Sequence, residues 1–463
     1  MQIYNTLTQK KEKLIPLQDN LFRIYSCGPT VYDYVHIGNL RAFVCADILK
    51  RYLIFKGYKV KHVMNITDVD DKTIKKANGD RQKLKEITEF YTKAFFEDLK
   101  EMNILPADVY PKATEHIKDM VNVIKTLMEK GYAYKAEDGS IYFSVAKFKD
   151  YGKLSKVKVA ELKAGARVSQ DEYAKESASD FALWKAWKES DGDIFWETEI
   201  GKGRPGWHIE CSVMSTKYLS QPFDIHTGGV DLIFPHHENE IAQSEAYADK
   251  EFVRYWFHNE WLFVEGKKMS KSLGNFYTLR DLKEKGYSGQ ELRLVFLETH
   301  YRQQLDFSLK QLDAAKSTLE RIKDFTWRMK NNDKEKGKDI AQPRIDAFMR
   351  EFTAAMDDDL DTPKALAALH SFIHEINLLD LNKEESQNVY SLMKQLEKIL
   401  GLALEFELIP LTEEELALIK ERENARKQKD WKKADAIREE LKKHGIELFD
   451  TKEGTKWRKV KQY

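Results

Sequence analysis

Cysteine is scarce. Cys27, Cys45 and Cys211 are the only three in 463 residues, too few and too scattered for a disulfide framework, and no two form a CxxC pair. They read as reduced thiols, so a metal site using them has to be assembled across the fold. Cys45, inside an apolar helical stretch, reads as core packing. No window approaches the ~18 consecutive apolar residues of a membrane span, and the opening MQIYNTLTQKKEKLIPL has no apolar core of signal-peptide length. A cytoplasmic protein without membrane contact is therefore expected. Neither sign of charge is in excess, with 76 Lys and Arg against 76 Asp and Glu, so overall charge gives no bias toward nucleic acid. The balance is nevertheless uneven, because from Lys420 onward 15 Lys and Arg face 9 Asp and Glu. There is no internal repeat and no low-complexity tract. At about 100 to 200 residues per domain, the length predicts two to four domains.

LFRIYSC (21–27) alternates like a strand, LRAFVCADILKRYLIFKGY (40–58) repeats apolar residues at helical spacing with Gly57 at the C-cap position, and KVKHVMNI (59–66) reads as strand again. That unit predicts a parallel crossover in an open sheet. Ligands of such sheets gather beyond the carboxyl ends of the strands, which brings CGPTVYDYVHIGN and TDVDD to one crevice. From about 111 to 204 the character changes: helical runs, a hairpin at GYAYKAEDGSIYFSV, a polar stretch through ARVSQDEYAKESASD and a Trp-rich segment together predict an insertion. GRPGWHIECSVM (203–214) and FDIHTGGVDLIF (223–234) return to glycine-punctuated apolar runs suited to late strands of the sheet. From about 310 to 403 the pattern is almost wholly that of amphipathic helices, which predicts a bundle. A charged helix and strand-like pieces around GIELFDTKEGTKWRKV follow.

Several short words could carry chemistry. VHIGNL follows the first strand of the predicted crossover and opens a helix, where backbone amides and a close-packing glycine make an anion site and His36 could donate to phosphate. An ordinary helix start with Asn39 as N-cap is the plain alternative. KKMSKSLGNF (267–276) is a flexible lysine loop able to close over a polyphosphate, or simply solvated surface. In FPHHENE (234–240), His236 and Glu240 stand at i and i+4 if the segment is helical, about 5–6 Å apart and within reach of one cation, with His237 and Glu238 directed elsewhere. The acids of TDVDDK, at 68, 70 and 71, read as caps and turns rather than a magnesium cage.

HIGN and KMSKS, about 230 residues apart and in this order, resemble the HIGH and KMSKS signatures of class I aminoacyl-tRNA synthetases. Within that class, YSCGPTVYDYVHIGNLR, NITDVDDK, GRPGWHIECSVM, FDIHTGGVDLIFPHHENEIAQSEA, KKMSKSLGNF and RKQKDWKKADAIREEL resemble the cysteinyl-tRNA synthetase family, over nearly the whole chain. One departure is visible: Asn39 stands where the HIGH word ends in His.

The resemblance implies a Rossmann-like parallel-sheet catalytic domain split by a connective peptide, then a helical bundle and a small C-terminal α+β anticodon-binding domain. The corresponding boundaries are 1–110 and 205–250 for the two catalytic halves, 111–204 for the insertion, 251–310 for a stem-contact region with the KMSKS loop, 311–403 for the bundle and 404–463 for the tail. It implies ATP-dependent activation of L-cysteine and transfer to the 3′ end of tRNA(Cys), with Mg²⁺ accompanying ATP. Cys27 and Cys211 join His236 and Glu240 as ligands of one zinc ion per chain. Gly28, Thr67, Trp207 and Asp231 line the amino-acid pocket, although Trp207 alone reads as core and Asp231 alone as a turn residue. His36, Gly38, Asn39, Lys268 and Lys271 hold ATP, with His36, Lys268 and Lys271 catalytic. Because zinc distinguishes thiolate from a neutral hydroxyl, no editing domain is expected. Four protein ligands close a tetrahedral site, so either a fifth position opens or Glu240 loosens for the substrate sulfur. Monomer is the default. A zinc hydrolase is the rival reading from another class, but such enzymes carry HExxH where this chain has HHENE.

Overall fold

The computed structural model describes residues 1–158, 179–269, 274–451 and 454–459. Its centre is a four-stranded parallel sheet in the order Val253–Asn259, Phe223–Gly229, Leu21–Ser26, Lys59–Met64. The strand Leu21–Ser26 is buried over most of its length because helices cover the sheet. Ile37–Phe55 forms the predicted crossover helix, and Gly57 follows its cap at φ +90°. Chain order reverses between Leu21–Ser26 and Phe223–Gly229, so the topological switch point lies between these two strands. Beyond their carboxyl ends, residues 27–36 and 228–240 face each other.

The insertion builds a five-stranded antiparallel sheet, in the order Ala133–Lys135, Ile141–Phe143, Phe181–Ala186, Gly201–Pro205, Trp196–Thr198. Its first two strands are the predicted hairpin. Much of ARVSQDEYAKESASD lies outside the described residues. One expectation is corrected: GRPGWHIECSVM is not a strand of the parallel sheet. Gly201–Pro205 belongs to the insertion's sheet, and Trp207–Leu219 is a helix. The helix is buried nearly all round, from His208 to Ser215, so no polar stripe reveals its period.

The bundle comprises Leu309–Lys330, Gln342–Asp357, Thr362–Asn377 and Lys383–Leu400. Two further helices, Glu413–Lys427 and Trp431–Lys443, pack with the hairpin Ile446–Thr451/Gly454–Lys459 over a small core of Ile419, Ile437, Leu441, Ile446 and Leu448.

A buried ion network ties the crossover helix to the bundle. The Asp47 carboxylate accepts from Arg51 (2.7 Å) and from Arg293, while Arg293 also donates to the Leu400 and Met102 carbonyls and Arg51 to that of Lys398. Asp47→Ala leaves two guanidinium groups buried without a counter-charge, a loss of about 3–5 kcal/mol. The expected result is an earlier first transition in guanidinium denaturation; an unchanged midpoint would mean that the carbonyls alone satisfy the arginines.

Candidate active site

Four donors converge beyond the switch point. Cys27 directly follows the strand Leu21–Ser26, and Cys211 lies in the helix Trp207–Leu219. His236 lies near the end of the wide turn Ile233–His237, and Glu240 lies in the first turn of Glu238–Ala248. The two sulfurs stand 3.8 Å apart, Cys27 Sγ lies 3.8 Å from Glu240 Oε1, and His236 Nε2 lies 3.0 Å from the same oxygen. All four donor atoms fall within 4.8 Å of one another. Two thiolates each about 2.3 Å from a tetrahedral ion would themselves be about 3.8 Å apart, so these residues fit a zinc-type site in donor chemistry and in spacing. Cys211, His236 and Glu240 are buried and Cys27 is half-buried.

His237 does not point elsewhere. Its Nε2 lies 3.4 Å from Cys27 Sγ, and Cys27, His226, His237 and Glu240 form a second donor group within the same distance. In this arrangement His226 Nε2 contacts Glu240 Oε2 at 3.0 Å and His237 Nδ1 contacts His258 Nε2 at 2.8 Å, so both rings have partners around the first set. Glu238 is turned away as expected, accepting from the amides of Gly152, Leu154 and Ser155. Sequence reasoning missed His226 and His258; their one signal is a histidine within an otherwise apolar strand run.

Electrostatics follow from this packing. Burial alone would raise the Glu240 carboxyl, but His226 and His236 hold it at about 2. Burial would lower His236, yet Glu240 and Cys211 lift it to about 10. A hydrogen bond from Cys27 draws Cys211 down to about 6 against burial, whereas burial and the neighbouring sulfur keep the Cys27 thiol high. A metal ion held by these donors would therefore displace protons from Cys27 and His236.

A cavity of about 510 Å³ opens beside this cluster, lined among others by Cys27, Gly28, His36, Gly38, Asn39, Trp207, Asp231 and Lys268. At Gly28 an added Cβ would fall 1.7 Å from the Asn65 carbonyl oxygen, so no other residue fits, and the Gly28 amide donates to the Asn65 side chain at 2.8 Å. Trp207 stacks on His236, with ring centroids 4.1 Å apart. Asp231 is raised by burial. Thr67 is not in the cavity wall: its hydroxyl donates to Glu210, while its backbone pairs with Pro29 and Val31 and fixes the CGPT loop.

The helix start departs from the expected one. His36, not Asn39, is the N-cap; His36 Nδ1 accepts from the Asn39 amide and Asn39 Oδ1 accepts from the His36 amide, each at 3.2 Å. Burial holds the His36 ring at about 4, so it is neutral at pH 7. A Cβ on Gly38 would meet the end of the Met269 side chain at 2.9 Å and the His36 ring at 3.0 Å, so a larger residue here requires those side chains to shift. The chain beyond the lysine loop is tied to the same place, with the Ile37 amide donating to the Tyr277 carbonyl at 3.0 Å. Lys268 is exposed, its ammonium 4.6 Å over the Trp261 ring. Lys271 lies outside the described residues. The acids of TDVDDK act as caps and pairs: Asp70 caps Asp71–Ala77, Asp68 accepts from Thr114, and Asp71 pairs with Lys185 and Arg204.

Residues 13–317 match the family described as tRNA synthetases class I (C) catalytic domain, 351–405 the DALR domain, and 410–458 the cysteinyl-tRNA ligase anticodon binding domain. In fold the chain is similar to Mycobacterium tuberculosis methionyl-tRNA synthetase in complex with methionyl-adenylate (TM-score 0.60, 14% identity, 82% of this chain and 89% of that one). It is also similar to Agrobacterium radiobacter LeuRS in a ternary complex with tRNA and LeuAMS (TM-score 0.60, 10% identity, 84% and 85%). The parallel sheet, its insertion and the nucleotide-side words thus define a class I aminoacyl-tRNA synthetase. The chain is 47% identical to the cysteine–tRNA ligase of Chlamydia muridarum, with 99% of each chain covered, and 47% identical to that of Thermodesulfovibrio yellowstonii, again with 99% of each. It belongs to the cysteinyl-tRNA synthetase family, and its activity is the charging of tRNA with cysteine.

Two measurements check the site. Cys211→Ser removes one of the two soft donors and is expected to lower bound zinc to below about a tenth of an equivalent by elemental analysis, reflecting the weak affinity of a hydroxyl; retention of a full equivalent would transfer the site to the second donor group. An NMR titration of His36 is expected to show a midpoint near 4. A midpoint near the usual ~6.5 would show a solvated ring.

Proposed function

We propose that Cys27, Cys211, His236 and Glu240 hold a zinc ion that selects the cysteine side chain. The observation that carries this is the paired sulfurs at 3.8 Å, closed by an imidazole and a carboxylate at one end of the substrate cavity. When bound, zinc supplies strong affinity for thiolate and poor affinity for a neutral hydroxyl, a distinction that apolar pockets do not achieve. Around it, Gly28 leaves room for the substrate, Trp207 forms the apolar wall, and Asp231 faces the ammonium. Thr67 acts one layer back by fixing the loop that carries Gly28.

The cysteine carboxylate attacks the α-phosphorus of ATP and pyrophosphate leaves; a hydroxyl of the terminal ribose of tRNA then attacks the carbonyl carbon of the adenylate, and AMP leaves. The protein contributes positioning and charge stabilisation. A neutral His36 with Gly38, Asn39 and the helix amides receives the ATP phosphates. Lys268 and Lys271 neutralise the β and γ groups, with Mg²⁺ accompanying the nucleotide. In this reading the catalytic halves, the insertion and the stem-contact region keep the boundaries 1–110, 205–250, 111–204 and 251–310, with the bundle at 311–403 and an anticodon-reading tail at 404–463. The acceptor is tRNA(Cys), and the enzyme works as a cytoplasmic monomer. Trp431 supports the tail assignment: it is 58% exposed at the start of a lysine-bearing helix, free to stack on an unpaired base.

Lys271→Ala is expected to slow cysteine-dependent pyrophosphate exchange by ~10²-fold or more, the scale of losing one charge-stabilising donor; near-normal exchange would remove Lys271 from the machinery. Trp431→Ala is expected to raise the KM for tRNA about tenfold while leaving pyrophosphate exchange intact. Equal loss of both activities would make the tail purely structural.

A further inference from the structure

We propose that the aromatic patch of Tyr34, Phe90 and Tyr91 at the cavity mouth is the stacking platform for the unpaired 3′-terminal base of tRNA. The inference rests on the chain being a tRNA-charging enzyme, and it gives a place to the substrate end that the cavity residues described above leave unplaced.

Phe90 lies on the helix Arg81–Glu101 and is 56% exposed, while Leu84 and Phe95 of the same helix are buried. A single exposed phenylalanine is ordinary. Here three rings meet edge to face, with centroids 6.1 Å apart for Tyr34 and Phe90, 5.1 Å for Tyr34 and Tyr91 and 5.1 Å for Phe90 and Tyr91. Tyr34 is itself part of the cavity wall, so the patch runs continuously from the substrate cavity onto the outer surface. The Arg280 guanidinium backs Tyr34 at 4.4 Å and is anchored by Asp98 at 2.7 Å, which fixes the ring from behind.

Charge favours a nucleic acid over an apolar partner. Lys72, in the cavity wall, and Lys76 project from the neighbouring helix Asp71–Ala77, and the Lys76 ammonium donates to the Tyr91 hydroxyl at 2.7 Å, with Asp33 4.0 Å away. Phe90 offers the open ring face, Tyr34 and Tyr91 being covered by Arg280 and Lys76, and the exposed Lys72 supplies an ammonium suited to a phosphate, a combination expected for a single strand. The reaction demands such a strand here, because the terminal ribose hydroxyl has to reach the adenylate carbonyl inside the cavity while the base attached to it stays at the mouth.

The test compares the unaltered enzyme with Phe90→Ala and Phe90→Trp in cysteine-dependent pyrophosphate exchange and in steady-state charging of purified tRNA. Phe90→Ala is expected to leave exchange within about twofold and to lower kcat/KM for tRNA about tenfold or more, with Phe90→Trp restoring it. Unchanged charging by Phe90→Ala overturns the proposal, and so does an equal loss of exchange and charging, which would make Phe90 structural. A dimer that Phe90→Ala dissociates without affecting charging would assign the patch to a second copy. No charging by the unaltered protein would overturn the synthetase reading and the platform together.

Discussion

A fully buried carboxylate sets the terms for the active site. Glu240 has no solvent contact, and an ionised carboxylate so placed is tolerated only where opposite charge and hydrogen bonds meet it. His226 and His236 take one oxygen each, at 3.0 Å. His226 comes from the strand Phe223–Gly229, and His236 from the turn that follows it, so the carboxylate clamps the end of a central strand to the helix that carries Glu240. The same clamp brings His236 to Cys211 and directs Trp207 over the imidazole.

The surrounding fold protects this arrangement from both sides. Glu238, two residues before Glu240, collects three amides of the insertion and so ties the helix Glu238–Ala248 to the segment Gly152–Ser155. On the opposite wall, Arg41 is fully buried and donates to the carbonyls of Glu260, Trp261, His300 and Gln303. One guanidinium thereby joins the crossover helix to the cavity wall at Glu260 and Trp261. The rigid elements hold the donors, and Lys268 lies exposed in the short strand Lys267–Lys268 at the cavity's edge, a division suited to a site preorganised at one end and accessible at the other.

How much of this could be read in advance depended on the range of the interactions. The crossover unit, the hairpin of the insertion and the amphipathic bundle were legible because each is set by local periodicity. His236 and Glu240 were legible from their i, i+4 spacing, even though a non-helical Phe234 precedes them. The helix Trp207–Leu219 was misread because burial on every side erases the polar stripe that distinguishes a helix from a strand. His226 and His258 lie on the paired strands Phe223–Gly229 and Val253–Asn259, and His237 reaches them from the turn Ile233–His237, a meeting that no sequence spacing records. The choice of His36 over Asn39 as N-cap turned on which of two reciprocal hydrogen-bonding side chains lies outside the first turn, a matter of backbone angle rather than of residue type.

The most direct measurement is the ratio of cysteine-dependent to serine-dependent pyrophosphate exchange, taken on protein whose metal content is determined in the same preparation. The account predicts one zinc per chain, a preference well beyond the roughly 200-fold that shape alone provides, and loss of cysteine activation on chelation with recovery on adding zinc. Equal cysteine activation by metal-free protein, or serine activation within that range, would contradict it.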